Sequence, residues 1–198
     1  MSTKSPKPKT RQSSRLLGKL IWGAVVVVIL AGAVFLALDL TAPEAPPPPE
    51  LEAVETFDDM GADHLAVGQE TPEYNSNPPT SGPHADTPAA CGVYRQPVPD
   101  VNALHSMEHG AIVVQYDPEL TQEQVIDLEE IGRDVGGEII VAPRPDNPAA
   151  VVLTAWTKLL ALDEVNGDVI AAFEREFGNR SPEAGAQCPF QVDEGSGS

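Results

Sequence analysis

Basic residues are scarce beyond the first 38 positions of this sequence. All 30 acidic residues lie from Asp39 onward, where only six basic residues occur and Lys158 is the only lysine. This later part therefore carries a formal net charge of −24, against +6 for residues 1–38. A domain this acidic is not expected to bind nucleic acid or an anionic membrane surface. A solvated acidic surface is the simplest explanation of the charge.

Cysteine and the common catalytic motifs are also nearly absent. The chain contains no HExxH and no G-x-S-x-G, and its two cysteines, Cys91 and Cys188, form no CxxC. In an oxidising compartment an isolated pair most simply forms one disulfide, which leaves no thiol nucleophile. The chain-entropy model gives such a long loop about 4–5 kcal/mol as an upper value. The alternative is two free buried thiols.

One long apolar run precedes the acidic part. Residues 20–38, LIWGAVVVVILAGAVFLAL, carry no charge and follow six basic residues. As a helix the run spans roughly 29 Å, which matches the hydrocarbon core of a bilayer. It predicts an uncleaved transmembrane helix with a cytoplasmic N-terminus and an extracytoplasmic C-terminal domain, a single-pass protein of the cell membrane. A cleaved signal peptide is the alternative, but no clear A-x-A cleavage site follows the run. No cysteine lies directly after the run to carry a lipoprotein anchor.

The remaining sequence divides by composition. Residues 1–19 predict a basic cytoplasmic tail, 39–56 a proline-rich acidic linker, 57–192 the extracytoplasmic domain and 193–198 a flexible tail. Within the domain, residues 61–104 are rich in proline and glycine, which prevents long helices and central strands. This segment is therefore either disordered or an ordered loop layer fixed by side-chain hydrogen bonds and the Cys91 bridge.

A regular pattern begins after the loop segment. Apolar runs predict short strands at 111–116, 137–143 and 149–156. Residues 118–136, with Thr121 as N-cap, and residues 166–178 predict two amphipathic helices. The order β-α-β-β-α indicates an α+β domain in which two helices pack against one face of a small mixed or antiparallel sheet.

Three stretches resemble a known family. YNSNPPTSGPH, HSMEHGAIVVQY and LTAWTKLLALD are similar to the family catalogued as domain of unknown function 3105, and the resemblance covers roughly residues 60–185. It implies a single membrane anchor with an outer domain, and it implies no activity. The signature positions are Asn77, Pro78, Pro79, Ser81, Gly82, Pro83, His84, His105, Glu108, His109 and Gly110.

All four histidines lie between residues 64 and 109. His105 and His109 are four residues apart, so they can share one ion only if their segment is helical or tightly turned. With His84 they form a set of imidazoles that suits zinc or copper. Glu108 is a fourth ligand, a hydrogen-bond partner of a ligating histidine or a general base, and Met107 would favour copper. Metal binding should weaken as pH falls through about 6.5, because protonated imidazole cannot ligate.

Other functions remain open at this point. Each histidine could instead hold a loop by hydrogen bonds, and His64 is the weakest metal candidate because it could be only a surface residue. A hydrolase would need Glu108, the only catalytic candidate, together with a histidine or a bound metal, since nothing marks Ser81 or Ser106 as a nucleophile. A structural or partner-binding ectodomain, with an unknown protein partner, is the third class, and the sequence favours a non-enzymatic role.

Overall fold

The computed structural model describes residues 47–66, 68–136, 138–183 and 185, together with Trp22, Val25, Ile29 and Leu30. It divides the chain into two compact units, residues 1–46 and 47–198. The four described residues of the first unit are helical and exposed. The predicted transmembrane helix at 20–38 lies almost wholly outside the described residues, and the two predicted tails lie entirely outside them. Among the described residues, no helix is long and apolar enough to cross a membrane.

A six-stranded sheet forms the centre of the second unit. Its strands are β1 Glu55–Thr56, β2 Gly92–Val93, β3 Ile112–Tyr116, β4 Ile139–Pro143, β5 Val151–Ala155 and β6 Lys158–Leu162. The strand order is β1-β6-β5-β3-β4-β2. Strand β4 runs parallel to both β2 and β3, and the other neighbours are antiparallel. The sheet is therefore mixed, and the predicted α+β class is confirmed.

Three helices accompany the sheet in the described part of the second unit. They are α1 Asp100–Glu108, α2 Gln122–Asp134 and α3 Gly167–Phe177, and a short 3-10 helix, Pro49–Ala53, precedes β1. Both predicted helices are present, as α2 and α3. The prediction of two helices missed α1, although a helix at this position is what a site shared by His105 and His109 requires.

Helices α2 and α3 pack on one face of the sheet. Leu128 of α2 and Phe173 of α3 are fully buried there against alternate residues of the strands. Gly132 brings α2 close to β4, because a Cβ at this position would lie 2.5 Å from Cγ2 of Val141. This helical core comprises Ile112, Val114, Tyr116, Leu128, Ile139, Val141, Val151, Leu153, Ala155, Leu160, Leu162, Val169, Ile170 and Phe173.

The opposite face of the sheet is covered by α1 and by the irregular segment before it. Alternate strand residues such as Val113 and Ile140 enter this second core, so β3 and β4 are buried on both faces and read as continuous apolar runs. This loop-side core comprises Cys91, Val98, Ala103, Leu104, Met107, Ala111, Val113, Ile140, Ala142 and Trp156. The domain therefore has three layers, in which α1 and the loop segment cover the face of the sheet opposite α2 and α3.

The loop segment is ordered by hydrogen bonds to its own backbone and to its neighbours. Tyr74 donates its hydroxyl to the carbonyl of Pro83 at 2.7 Å, and Ser106 of α1 donates to the carbonyl of Ala89 at 2.8 Å. Arg144, just after β4, donates from Nη2 to Asn77 at 2.8 Å and to Asp100 at 3.0 Å. Of the two alternatives, the ordered loop layer is the one that forms.

Strand β6 was missed for a local reason. It pairs with β5 through a two-residue hairpin, in which Ala155 is opposite Lys158. Such turns usually contain glycine or asparagine, because the turn residues need positive φ. Here Thr157 takes that conformation, with φ of 62°, and a threonine does not indicate a turn in sequence.

Cys91 lies in the loop-side core with 2% of its surface exposed. It is not a free thiol, and the described residues include no free cysteine. Its predicted partner, Cys188, lies outside the described residues, so the Cys91–Cys188 pairing stays a prediction.

Candidate metal centre

Helix α1 supplies one side of the site. Because Asp100–Glu108 is helical, His105, Glu108 and the C-cap residue His109 share one face, as the shared-site hypothesis requires. Nε2 of His105 lies 3.1 Å from Nε2 of His109. Met107 lies on a different side of the helix and is 2% exposed within the loop-side core. The suggestion that Met107 favours copper therefore loses its support.

Gly110 ends this helix and lets the chain turn into β3. Its φ is 106°, and a Cβ there would lie 2.8 Å from Cα of Asn179. The Asn179 amide donates to the Gly110 carbonyl at 2.8 Å. Both the conformation and the close approach therefore require glycine at this position.

His84 reaches the site from the loop layer. It is fully buried, and its Nδ1 donates to the carbonyl of Gly82 at 2.9 Å. Gly82 itself has φ of 121°, and the Tyr74 ring would lie 3.0 Å from a Cβ there. The turn that positions His84 therefore requires glycine at residue 82, both for its positive φ and for the close approach of the Tyr74 ring.

His64 pairs with His84 through a short parallel bridge. The His84 amide donates to Asp63 at 3.0 Å, and the Leu65 amide donates to His84 at 2.7 Å. This bridge stacks the His64 ring on His105, with ring centroids 4.8 Å apart. The His64 side chain remains 50% exposed, whereas His84 is fully buried.

Four of these side chains form one cluster. The ligand atoms of His64, His84, His105 and Glu108 all lie within 4.8 Å of one another. Oε2 of Glu108 lies 3.0 Å from Nε2 of His84 and 3.9 Å from Nε2 of His64. We call these four residues the His3Glu cluster. Three of the four predicted ligands, His84, His105 and Glu108, meet here.

The fourth predicted ligand, His109, belongs to a neighbouring group. Its ligand atom lies within 4.8 Å of those of Glu108 and Glu183, and its Nε2 is 3.5 Å from Oε2 of Glu183. In the His3Glu cluster its place is taken by His64, which sequence reasoning ranked last. The confinement of every histidine to one segment was the signal for His64, whereas nothing in the sequence marked Glu183.

The hydrogen bonds of the buried imidazoles fix which nitrogen faces the cluster. Nδ1 of His105 donates to the carbonyl of Ala85 at 2.7 Å, as Nδ1 of His84 does to Gly82. A carbonyl only accepts, so in the neutral rings the lone pair lies on Nε2. Metal-ligating histidines commonly show this arrangement, because the second nitrogen donates to a carbonyl and orients the ring.

The surroundings also keep His105 available as a ligand. Burial lowers the pKa of His105 below its ordinary value, and the nearby imidazoles of His109, His84 and His64 lower it further, against an opposing effect of the hydrogen bond to Ala85. His105 is therefore neutral at pH 7, and few protons compete with an ion for its Nε2.

The two serines that were considered as nucleophiles have structural roles. Ser106 is fully buried, and its hydroxyl donates to Ala89. Ser81 is also fully buried; its Oγ accepts from the Met60 amide at 3.1 Å and contacts the carbonyl of Asp58 at 3.4 Å. Neither hydroxyl is open to a substrate.

Comparison with known proteins identifies the family. Residues 66–189 match the family described as "Protein of unknown function (DUF3105)". The chain belongs to this family, which confirms the resemblance seen in its sequence. The matched range contains three residues of the His3Glu cluster and begins two positions after His64. Searches of curated proteins and of solved structures gave no match.

Proposed function

We propose that this domain binds a divalent transition metal ion through the His3Glu cluster. The observation that carries the proposal is the orientation of the imidazoles. Two backbone carbonyls commit Nδ1 of His84 and His105 as donors, so the lone pair of each ring lies on Nε2. Nε2 of His84 lies 3.0 Å from Oε2 of Glu108, and Nε2 of His105 lies 3.1 Å from Nε2 of His109. Oxygen and nitrogen lone pairs 3.0 Å apart repel one another unless a proton or a cation lies between them.

The donor set favours zinc or copper. Three imidazoles and one carboxylate supply nitrogen and oxygen ligands without a thiolate, which suits both ions. Two ligands about 2.0–2.1 Å from a tetrahedral ion are about 3.3 Å apart. The spacings of 3.0 Å and 3.9 Å around Oε2 of Glu108 lie on either side of that value. Small side-chain movements would therefore complete the coordination.

The number of protein ligands and their exposure favour a metal-binding role over hydrolysis. A catalytic zinc ion usually keeps one open position for water, whereas four protein ligands close the shell. His64 is the only half-exposed ligand of the four, with 50% of its side chain accessible. Ion exchange would therefore proceed at His64, and we infer a role in holding or delivering the ion rather than in turnover.

Zinc binding can be tested by competition with a chromophoric chelator, using the full-length chain. We expect saturable Zn²⁺ uptake by the wild type and at least 100-fold weaker binding by His84→Ala. Glu176→Gln, which changes an exposed residue of α3 paired with Arg180, is the matched control and should bind like the wild type. Absence of saturable uptake of both Zn²⁺ and Cu²⁺ would reject the proposal. The partner-binding alternative would then be favoured, with His84 and Glu108 as a structural pair.

The proposal also includes where the domain works. The basic residues before the apolar run 20–38 and the acidic domain after it support a single-pass anchor with the domain outside the cytoplasm. The anchor would be the contact of the chain with the lipid bilayer. N-terminal sequencing of the mature protein tests this arrangement, because a chain that begins near residue 40 would show that the run had been cleaved.

A further inference from the structure

We propose that the domain holds a second divalent cation beside the first, bound by His109 and Glu183 and bridged to the first ion by Glu108. The ligand atoms of these three residues lie within 4.8 Å of one another, and Glu108 belongs to both groups. The second ion rests on the proposed function, because the bridge exists only if the His3Glu cluster holds an ion.

Glu108 is the residue that the two groups share, so its carboxylate is the one that would bridge the two ions. Its Oε2 lies next to His84 and His64, and within the described residues this oxygen takes the only hydrogen bond of the side chain. In the proposed arrangement the other oxygen, Oε1, ligates the second ion. Paired metal sites place their ions about 3.5–4 Å apart, a distance that one carboxylate spans.

His105 and His109 suit two adjacent ions. Their Nε2 atoms lie 3.1 Å apart, one helical turn from each other, and their rings are perpendicular. In this arrangement His105 ligates the first ion and His109 ligates the second. A cation at this position is also favoured by the C-terminal end of α1, where the helix dipole is negative.

Glu183 is held in place by the backbone. Its amide donates to the Glu108 carbonyl at 3.1 Å, and Ser181 donates its hydroxyl to the same carbonyl at 2.6 Å. The segment 179–183 is therefore fixed across the end of α1, although 59% of the Glu183 side chain is exposed. This fixed backbone lets a carboxylate that is distant in sequence reach His109.

Counting bound ions tests this proposal directly. The full-length chain is freed of metal, saturated with Zn²⁺ in the presence of excess Mg²⁺ to suppress weak surface binding, and passed through a desalting column for elemental analysis. We expect two Zn²⁺ per chain in the wild type, one in Glu183→Gln and two in the control Glu176→Gln. Far-UV circular dichroism confirms that each variant is folded.

Three other results have distinct meanings. One Zn²⁺ in both the wild type and Glu183→Gln would overturn the second ion and leave the proposed function standing. Absence of both bound Zn²⁺ and bound Cu²⁺ in the wild type would overturn both proposals. Two ions in Glu183→Gln would overturn the assignment of Glu183. As an independent readout, Cu²⁺ loading of the wild type should give a spin-resonance signal weakened by coupling between adjacent ions, and Glu183→Gln should give the full signal of one isolated Cu²⁺.

Discussion

The two faces of the sheet are built in different ways. The helical core is covered by α2 and α3, whose apolar stripes bury Leu128 and Phe173 completely. The other face is covered by α1 and a loop layer rich in proline and glycine, and there the buried residues include His84, Ser81 and Glu108. From this comparison we expect that stability depends mainly on the helical face and metal binding on the loop face. Four predictions test this division.

The largest effect is expected from Phe173→Ala in the helical core. Removing a fully buried aromatic ring should lower the free energy of unfolding by about 3–5 kcal/mol. Because Phe173 lies in the helical core, the affinity of the folded protein for Zn²⁺ should stay unchanged. Urea unfolding and chelator competition measure the two quantities. A loss of zinc affinity in the folded variant would contradict the expectation that stability and zinc binding depend on opposite faces of the sheet.

The next effect concerns the loop face and depends on metal. At a free Zn²⁺ concentration 100-fold above the Kd, binding should raise the free energy of unfolding of the wild type by about 2.7 kcal/mol. His84→Ala should gain at most about 0.4 kcal/mol, because loss of this buried ligand weakens binding at least 100-fold. Urea titrations with and without Zn²⁺ give both values. Equal gains in the two proteins would place the ion elsewhere.

A smaller effect is expected at the N-terminus of α2. Oγ1 of Thr121 accepts from the Gln124 amide, and the Thr121 amide donates to Oε1 of Gln124, so Thr121→Ala removes half of a capping box. The cost should be about 1 kcal/mol of stability with no change in zinc affinity. A stability change near zero in urea unfolding would show that this cap does not matter to the helical face.

The smallest effect is the pH dependence that His105 contributes. Its pKa is lowered by burial first, so the unfolded chain takes up this proton near pH 6.5 and the folded chain takes it up only at lower pH. Between those values the unfolded state binds more protons. The contribution of His105 to the free energy of unfolding is therefore full above about pH 6.5. It decreases as the pH falls from there to the lower pKa of the folded chain, and it stays constant below that pKa.

Comparing His105→Gln with the metal-free wild type isolates this contribution. Urea unfolding over pH 7.5 to 5.5 should show a larger loss of stability on acidification in the wild type than in the variant. Equal losses, or a wild type that becomes more stable in acid, would contradict the direction of the pKa shift.

The helical face could be predicted from sequence because its signals are local. Val125, Leu128 and Ile131 recur at helical spacing, and Thr121 marks the start of α2. Strand β6 escaped because Thr157 replaces the glycine or asparagine that usually indicates a hairpin. Helix α1 has a weak apolar stripe, since its buried residues include His105, Ser106 and Glu108.

The site could be predicted only in part, for a different reason. His105 and Glu108 lie together because a helix brings residues three apart onto one face. His64 meets His84 through backbone bonds between two irregular segments, and no sequence period encodes that pairing. Glu183 reaches His109 across more than seventy residues, by way of a segment fixed to the end of α1.

The most direct test of the central claim is anomalous diffraction at the zinc edge from a crystal of the zinc-loaded protein. The account predicts a strong peak about 2.0–2.1 Å from Nε2 of His84, Nε2 of His105 and an oxygen of Glu108, with His64 completing the shell. A peak at another part of the surface, or no peak within reach of these residues at saturating Zn²⁺, would contradict it.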